Sequence, residues 1–159
     1  MKTLIVYSSK HGFTEKCVEY IKDKLKSEVS VVNVNENQTI NLNDYDWIIM
    51  GGSAYMAKMN KNLKRFAVQN TNTLITKNLA LFVCCMTPNE SEKYIQECFP
   101  KKIYKSAKFR ANFGGKLNKK KLNFFERNIT KMVAKQEDKE EGTFYQNMDT
   151  LVELVNSHI

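Results

Sequence analysis

Apolar residues follow two rhythms along this chain. Short runs at 3–7, 29–34, 47–50 and 79–85 are rich in β-branched or apolar residues, and each is bounded by polar residues or glycine. That is how strands read. Between them the period lengthens. Thr14, Cys17, Val18, Ile21 and Leu25 fall at i, i+3, i+4, i+7 and i+11, one apolar stripe of a helix. A second helical pattern starts near Asn60 and carries Leu63, Phe66 and Ala67. A third starts near Asn89, carries Tyr94, Ile95 and Cys98, and stops at Pro100.

Strands alternating with helices in units of about 30 residues predict βαβ crossovers and a parallel sheet covered on both faces. The runs "LIV", "WIIM" and "LALFVCC" are apolar throughout, as strands buried on two faces must be. "AKFRANF" at 107–113 alternates instead: Ala107, Phe109, Ala111 and Phe113 share one side, Lys108, Arg110 and Asn112 the other. One wet face predicts an edge strand. Five strands ending at an edge suit the order 2-1-3-4-5 of a doubly wound, three-layer α/β/α sheet. An apolar helical stripe (Leu122, Phe125, Ile129, Met132, Val133) follows in a strongly basic segment, and a last helix near 147–156 turns Met148, Leu151, Val152 and Val155 to the sheet. No repeat or linker divides the chain, so residues 1–159 read as one domain.

Composition narrows the class. Hydrophobic residues make up 42% and charged residues 26%, ordinary for a globular protein. The N-terminal apolar run is too short for a signal or a membrane span, which predicts a cytoplasmic protein. Cys17, Cys84, Cys85 and Cys98 have no metal-binding spacing, and two histidines cannot complete a zinc set. The Cys84-Cys85 pair reads as small buried hydrophobes rather than a redox pair. The net charge of +8 favours acidic partners, anionic ligands or an anionic membrane surface. Signatures of nucleic-acid binding are missing, so none is expected.

Candidate chemistry lies where strand order reverses, between the first and third strands, in the turns at 8–14, 51–60 and 86–89. The first turn suits an anion. It feeds a helix N-terminus, Ser9 and Thr14 offer hydroxyls, Gly12 permits a left-handed backbone, and Lys10 and His11 add donors. An equally good reading makes Thr14 only the helix cap, with Glu15 matching the dipole. Neither the Walker loop nor the GxGxxG fingerprint is present.

"SSKHGFT", and "YDWIIMGGSAYMAKMNKNLKRF" further on, resemble the phosphate loop and the flavin-flanking loop of the flavodoxin family. The resemblance covers nearly the whole chain in order. It implies that Ser9, Lys10, His11, Gly12, Phe13 and Thr14 hold the phosphate of FMN. Ser53, Ala54, Tyr55 and Met56 would border the isoalloxazine, Tyr55 stacking on it, and Met86, Thr87, Pro88 and Asn89 would form the other wall. Three departures stand out. Lys10 and His11 replace small hydroxyl residues, the third loop offers no second aromatic, and electron-carrying flavodoxins are typically acidic. Positive surroundings stabilise a reduced anionic flavin, so a less negative potential is expected than an acidic carrier would have.

The order of "GGS-Y", "FGGKLNKKKLNFFERNITKMVAK" and "GTFYQNMDTLVELV" is similar to the quinone-dependent protoporphyrinogen dehydrogenases of the same fold. That resemblance implies FMN taking hydrogen from a porphyrinogen and passing electrons to a quinone. Lys116, Lys119, Lys120 and Lys121 would attract propionates or anionic lipid, with Phe124 as a contact residue. The expectation is therefore an FMN-binding electron carrier, with the dehydrogenase as alternative. Its partner would be an acidic redox protein or a small-molecule or quinone acceptor, and residues 116–135 would give peripheral contact with an anionic membrane. No residue stands out as an acid–base catalyst, since His11 is assigned to the phosphate.

Overall fold

The computed structural model describes residues 1–36, 39–116, 120, 123, 127 and 140–159. The helical stripe Leu122, Phe125, Ile129, Met132 and Val133, together with Lys119, Lys121 and Phe124, lies outside the described residues, and so does most of the expected membrane contact at 116–135.

Five parallel strands form the main sheet: β1 (Lys2–Ser8), β2 (Glu28–Asn33), β3 (Trp47–Tyr55), β5 (Asn78–Cys84) and β6 (Phe109–Asn112), in the order β2-β1-β3-β5-β6. A two-residue strand, β4 (Lys58–Met59), folds back antiparallel on β3 and accounts for the extra number. The parallel strands thus follow the expected order. A second small sheet pairs β7 (Gly114–Gly115) with β8 (Gly142–Thr143).

Period-two alternation explains the continuous apolar runs. Leu4, Val6, Ile48, Met50, Leu79, Leu81 and Val83 face one layer; Ile5, Tyr7, Trp47, Ile49, Ala80, Phe82 and Cys84 face the other. The first layer holds α2 (Lys61–Gln69), α3 (Thr71–Leu74), α4 (Ser91–Cys98) and α5 (Lys101–Ser106). The second holds α1 (Phe13–Lys24) and α6 (Tyr145–Asn156). In the second layer Phe82 and Phe113 stack with centroids 4.6 Å apart, an offset aromatic contact that adds about 0.5–1.5 kcal/mol to burial.

Three departures from the sequence reading have physical causes. β3 runs through to Tyr55 rather than stopping at Met50, because Gly51 and Gly52 are interior strand positions. A Cβ on Gly51 would strike the Phe82 ring and carbonyl, and one on Gly52 the Ser8 hydroxyl. Here glycine marks close approach, not an end. The helical region from Asn60 breaks at Asn70, whose side chain donates to Phe66 O at 2.8 Å, and resumes as α3. Asn112, expected on the wet side of the edge strand, is 7% exposed. Its amide donates to Cys85 O and accepts from the N–H groups of Cys85 and Gly114, so both ends of the buried amide are bonded.

The turn joining β3 to β4 places Met56 (φ 50) and Ala57 (φ 62) in the left-handed region. Two-residue hairpins demand this backbone, and residues other than glycine adopt it at a cost of roughly 1–2 kcal/mol each. Ala57→Gly is expected to stabilise the protein by about 1 kcal/mol. An unchanged or lower urea midpoint would show that the turn carries no such strain.

Candidate cofactor site

β1 delivers the chain to the C-terminal edge of the sheet, and residues 9–12 turn it into α1. Gly12 sits at the N-cap with φ 86, and its N–H donates to Ser9 Oγ at 3.1 Å. The cap position therefore falls to Gly12, and Thr14 lies inside the first turn. No side chain caps α1, so its leading N–H groups face the cleft with the positive end of the helix dipole behind them. Ser8 and Thr14 are each 1% exposed, and their hydroxyls have no hydrogen-bond partner among the described residues. Buried hydroxyls without partners are rare enough in folded proteins to need a reason.

Tyr55, at the end of β3, forms the facing wall. Lys10 Nζ lies 4.0 Å from the centre of its ring, and the His11 ring meets it edge-on at 6.2 Å. Its hydroxyl is buried without a hydrogen bond among the described residues. Ser53 and Ala54 continue that wall from the strand itself. The third side consists of Cys84, Cys85 and Met86 at the end of β5, with Gly115 and Lys116 from the segment after β6. Together these elements line one cleft that is partly open to solvent.

The structure gathers Ser9, Lys10, His11, Phe13, Thr14, Ser53, Ala54, Tyr55 and Met86 around one cleft. Gly12 shapes the loop rather than the lining. Met56 is 55% exposed at the hairpin tip and points away. Thr87, Pro88 and Asn89 do not line the cleft: Thr87 pairs its hydroxyl with Tyr94, while Pro88 and Asn89 open a 3-10 turn into α4.

Sequence reasoning did not place Cys84, Cys85 and Gly115 at the cleft, and it gave Lys116 to propionates or lipid rather than to the cofactor wall. Gly115 lies so close to the third wall that a Cβ would sit 2.8 Å from Met86 Cγ and 3.0 Å from the Cys85 carbonyl carbon. Adjacent glycines directly after an edge strand were the available signal. The Glu140 N–H donates to Met86 O at 2.8 Å, fastening the returning chain to the same wall.

Charge states follow from burial. Desolvation pushes the Cys84 thiol far above its ordinary range, with Cys17 beside it adding to the effect. Burial also raises Cys85, against hydrogen bonds from Thr87. Both line the cleft as neutral, inert thiols. Tyr7, under the loop, is raised chiefly by burial and next by the Glu15 carboxylate. No cluster of three or more histidine, cysteine or acidic side chains occurs among the described residues. No described helix is long and apolar enough to cross a membrane.

Comparison with known proteins agrees with this architecture. Residues 4–143 match the flavodoxin domain family. A curated relative, protoporphyrinogen IX dehydrogenase [quinone] of Escherichia coli K12, is 22% identical over 152 residues, covering 90% of this chain and 84% of its own. Among solved structures, a WrbA-like flavodoxin from Agrobacterium tumefaciens superposes with a TM-score of 0.59 at 13% identity, covering 99% of both chains. A flavodoxin from the domain Archaea gives 0.53 at 22% identity, covering 84% of this chain and 99% of its own. These structures share the fold. With the family matched across nearly its whole length, the chain belongs to the flavodoxin domain family.

Proposed function

We propose that this protein binds FMN non-covalently in the cleft between β1, β3 and β5 and works as a flavin-dependent redox protein. The observation that carries this reading is the uncapped start of α1 behind a left-handed glycine, with the buried Thr14 hydroxyl next to the Cys84 thiol and without a hydrogen bond among the described residues. A phosphate satisfies all three at once: it accepts from the hydroxyl and the leading N–H groups, and it meets the positive dipole end. The Tyr55 ring, bordered by Ser53 and Ala54, gives a flat flavin a stacking wall. The flavin supplies the electron and hydride chemistry; the chain supplies binding, orientation and charge.

Because the phosphate carries the recognition, FMN should bind much more tightly than riboflavin. Thr14→Val keeps the shape and removes one charge-assisted hydrogen bond, worth about 1.5–3 kcal/mol. FMN affinity should therefore fall roughly ten- to hundredfold, with riboflavin affinity nearly unchanged. Fluorescence titration of both flavins reads this. Equal losses for the two, or no flavin binding by the parent protein, would remove the phosphate assignment.

Lys10 holds a positive charge inside the cleft, which favours a reduced, negatively charged flavin. Coulomb attraction of about 1 kcal/mol at partly solvated separations corresponds to about 20 mV for a two-electron couple. Lys10→Met should make the FMN midpoint more negative by roughly that amount. A midpoint that stays put would place the lysine charge out of reach of the ring.

A second reading, a quinone-coupled protoporphyrinogen dehydrogenase, has its own support in the likeness to the Escherichia coli relative along most of both chains. Anaerobic mixing of FMN-loaded protein with protoporphyrinogen and a quinone separates the two. Turnover that depends on both would establish the dehydrogenase, and flavin reduction without turnover would leave an electron carrier.

A further inference from the structure

One surplus of positive charge sits in the middle of the chain. Residues 58–111 hold eleven of the 25 lysines and arginines but only three of the 17 acidic residues, which equals the whole net charge of +8. The rest of the chain is balanced, fourteen cations against fourteen acids. In the fold, this segment supplies α2, α3, α4 and α5, all packed on the same side of the sheet, and seven of its eleven cations lie on these helices, while Lys108 reaches over Trp47 of the opposite layer, so most of the surplus becomes a face rather than a tail.

The outward side of that layer is consistent in character. Lys61, Lys64 and Arg65 are exposed along α2, and Lys101, Lys102 and Lys105 along α5. Two of the three acids are already engaged within the layer, Glu90 with Lys93 and Glu92 with Arg110. Aliphatic side chains stand among the cations: Val68 on α2 is 54% exposed and Ile75, just after α3, 37%. Aromatic rings are not offered in the same way. Tyr94 is buried, Phe66 is half-buried, and the half-buried Tyr104 ring lies under the Arg110 guanidinium at 4.7 Å.

We infer that the α2–α5 face is a docking surface for an anionic lipid bilayer. Cations spread over a whole layer, with exposed aliphatics and no free ring faces, match a flat sheet of negative headgroups. Lysine stems and the two aliphatics would rest against the interface while the ammonium groups stay wet. Single-stranded nucleic acid would call for stacking rings and a groove. An acidic redox protein would need the charge gathered near the cleft rim, yet α5 lies on a different part of the layer and contributes nothing to the cleft. The inference does not depend on which flavin, if any, the cleft takes.

Co-sedimentation with sucrose-loaded vesicles tests it, comparing pure phosphatidylcholine with a mixture containing phosphatidylglycerol. Two charge-matched variants are needed: Lys101→Glu/Lys105→Glu on the basic face, and Lys22→Glu/Lys26→Glu on the α1 side, where both lysines are exposed. Far-UV circular dichroism and thermal unfolding confirm that each remains folded. The parent protein should bind the anionic vesicles and not the neutral ones. The α5 variant should lose at least tenfold in partition and the α1-side variant less than threefold. Equal losses would reduce the effect to net charge. Failure of the parent to bind, or full binding by the α5 variant, would overturn the proposal. Tighter binding of a single-stranded RNA oligomer than of vesicles, lost in the same variant, would reassign the face to nucleic acid.

Discussion

The close passage of three strands at Gly51 and Gly52 governs this molecule. β3 is paired on both sides there, Gly52 lying opposite Ser8 on β1 and Gly51 opposite Phe82 on β5. Any side chain at these positions would enter space already held by the Ser8 hydroxyl or the Phe82 ring. Because there is none, β1, β3 and β5 stay in register to their carboxyl ends. The hydroxyl-rich loop, the Tyr55 wall and the Cys84–Met86 wall then emerge side by side. Glycine is unfavourable in a strand interior by roughly 0.5–1 kcal/mol relative to alanine, and here that cost maintains the spacing of the cleft.

The cleft combines strand and helix walls with polar groups that have no hydrogen bond among the described residues. The Thr14 hydroxyl on its wall is buried in the first turn of α1, and the Ser8 hydroxyl is buried nearby at the end of β1. The same holds for the Tyr55 hydroxyl at the opposite wall. A site of this kind is less stable than the same fold with those groups satisfied, and a ligand that satisfies them stabilises the native state by mass action. The neutral thiols of Cys84 and Cys85 fit the same logic, giving the third wall a small, unreactive lining.

Much of this was legible from residue order. Uninterrupted apolar runs marked the central strands and alternation in "AKFRANF" marked the edge, because each pattern reports how many faces of a strand are dry. The 8–14 turn was legible because few sequences place hydroxyls, glycine and basic residues between a strand and a helix. What stayed hidden depends on contacts between distant segments. Gly51-Gly52 looked like a strand end because only Ser8 and Phe82, far off in sequence, explain them. Asn112 looked solvent-facing because its partner Cys85 lies just past the end of β5, 27 residues earlier in the chain. Gly115 escaped notice, and Lys116 was given another role, because the return of the chain across the Cys85–Met86 wall is a tertiary event.

The two helical layers also differ in when they can form. The layer with α2 to α5 comes from the middle of the chain, its buried cluster among the described residues ending at Ala107 and Arg110 on β6 closing it against Glu92 and the end of α5. The opposite layer joins the first helix to the last: Lys24 and Tyr20 on α1 meet Asp149 on α6, and the Asn156 amide bonds the backbone of Lys24 and Lys26. Until α6 has been synthesised, Trp47, Ile49 and Phe82 have lost part of their cover. At about 5–20 residues per second the chain spends roughly several seconds in that state. For this protein, the vulnerable moment in biosynthesis is the interval between completing one side of the sheet and closing the other, and the C-terminal helix ends it.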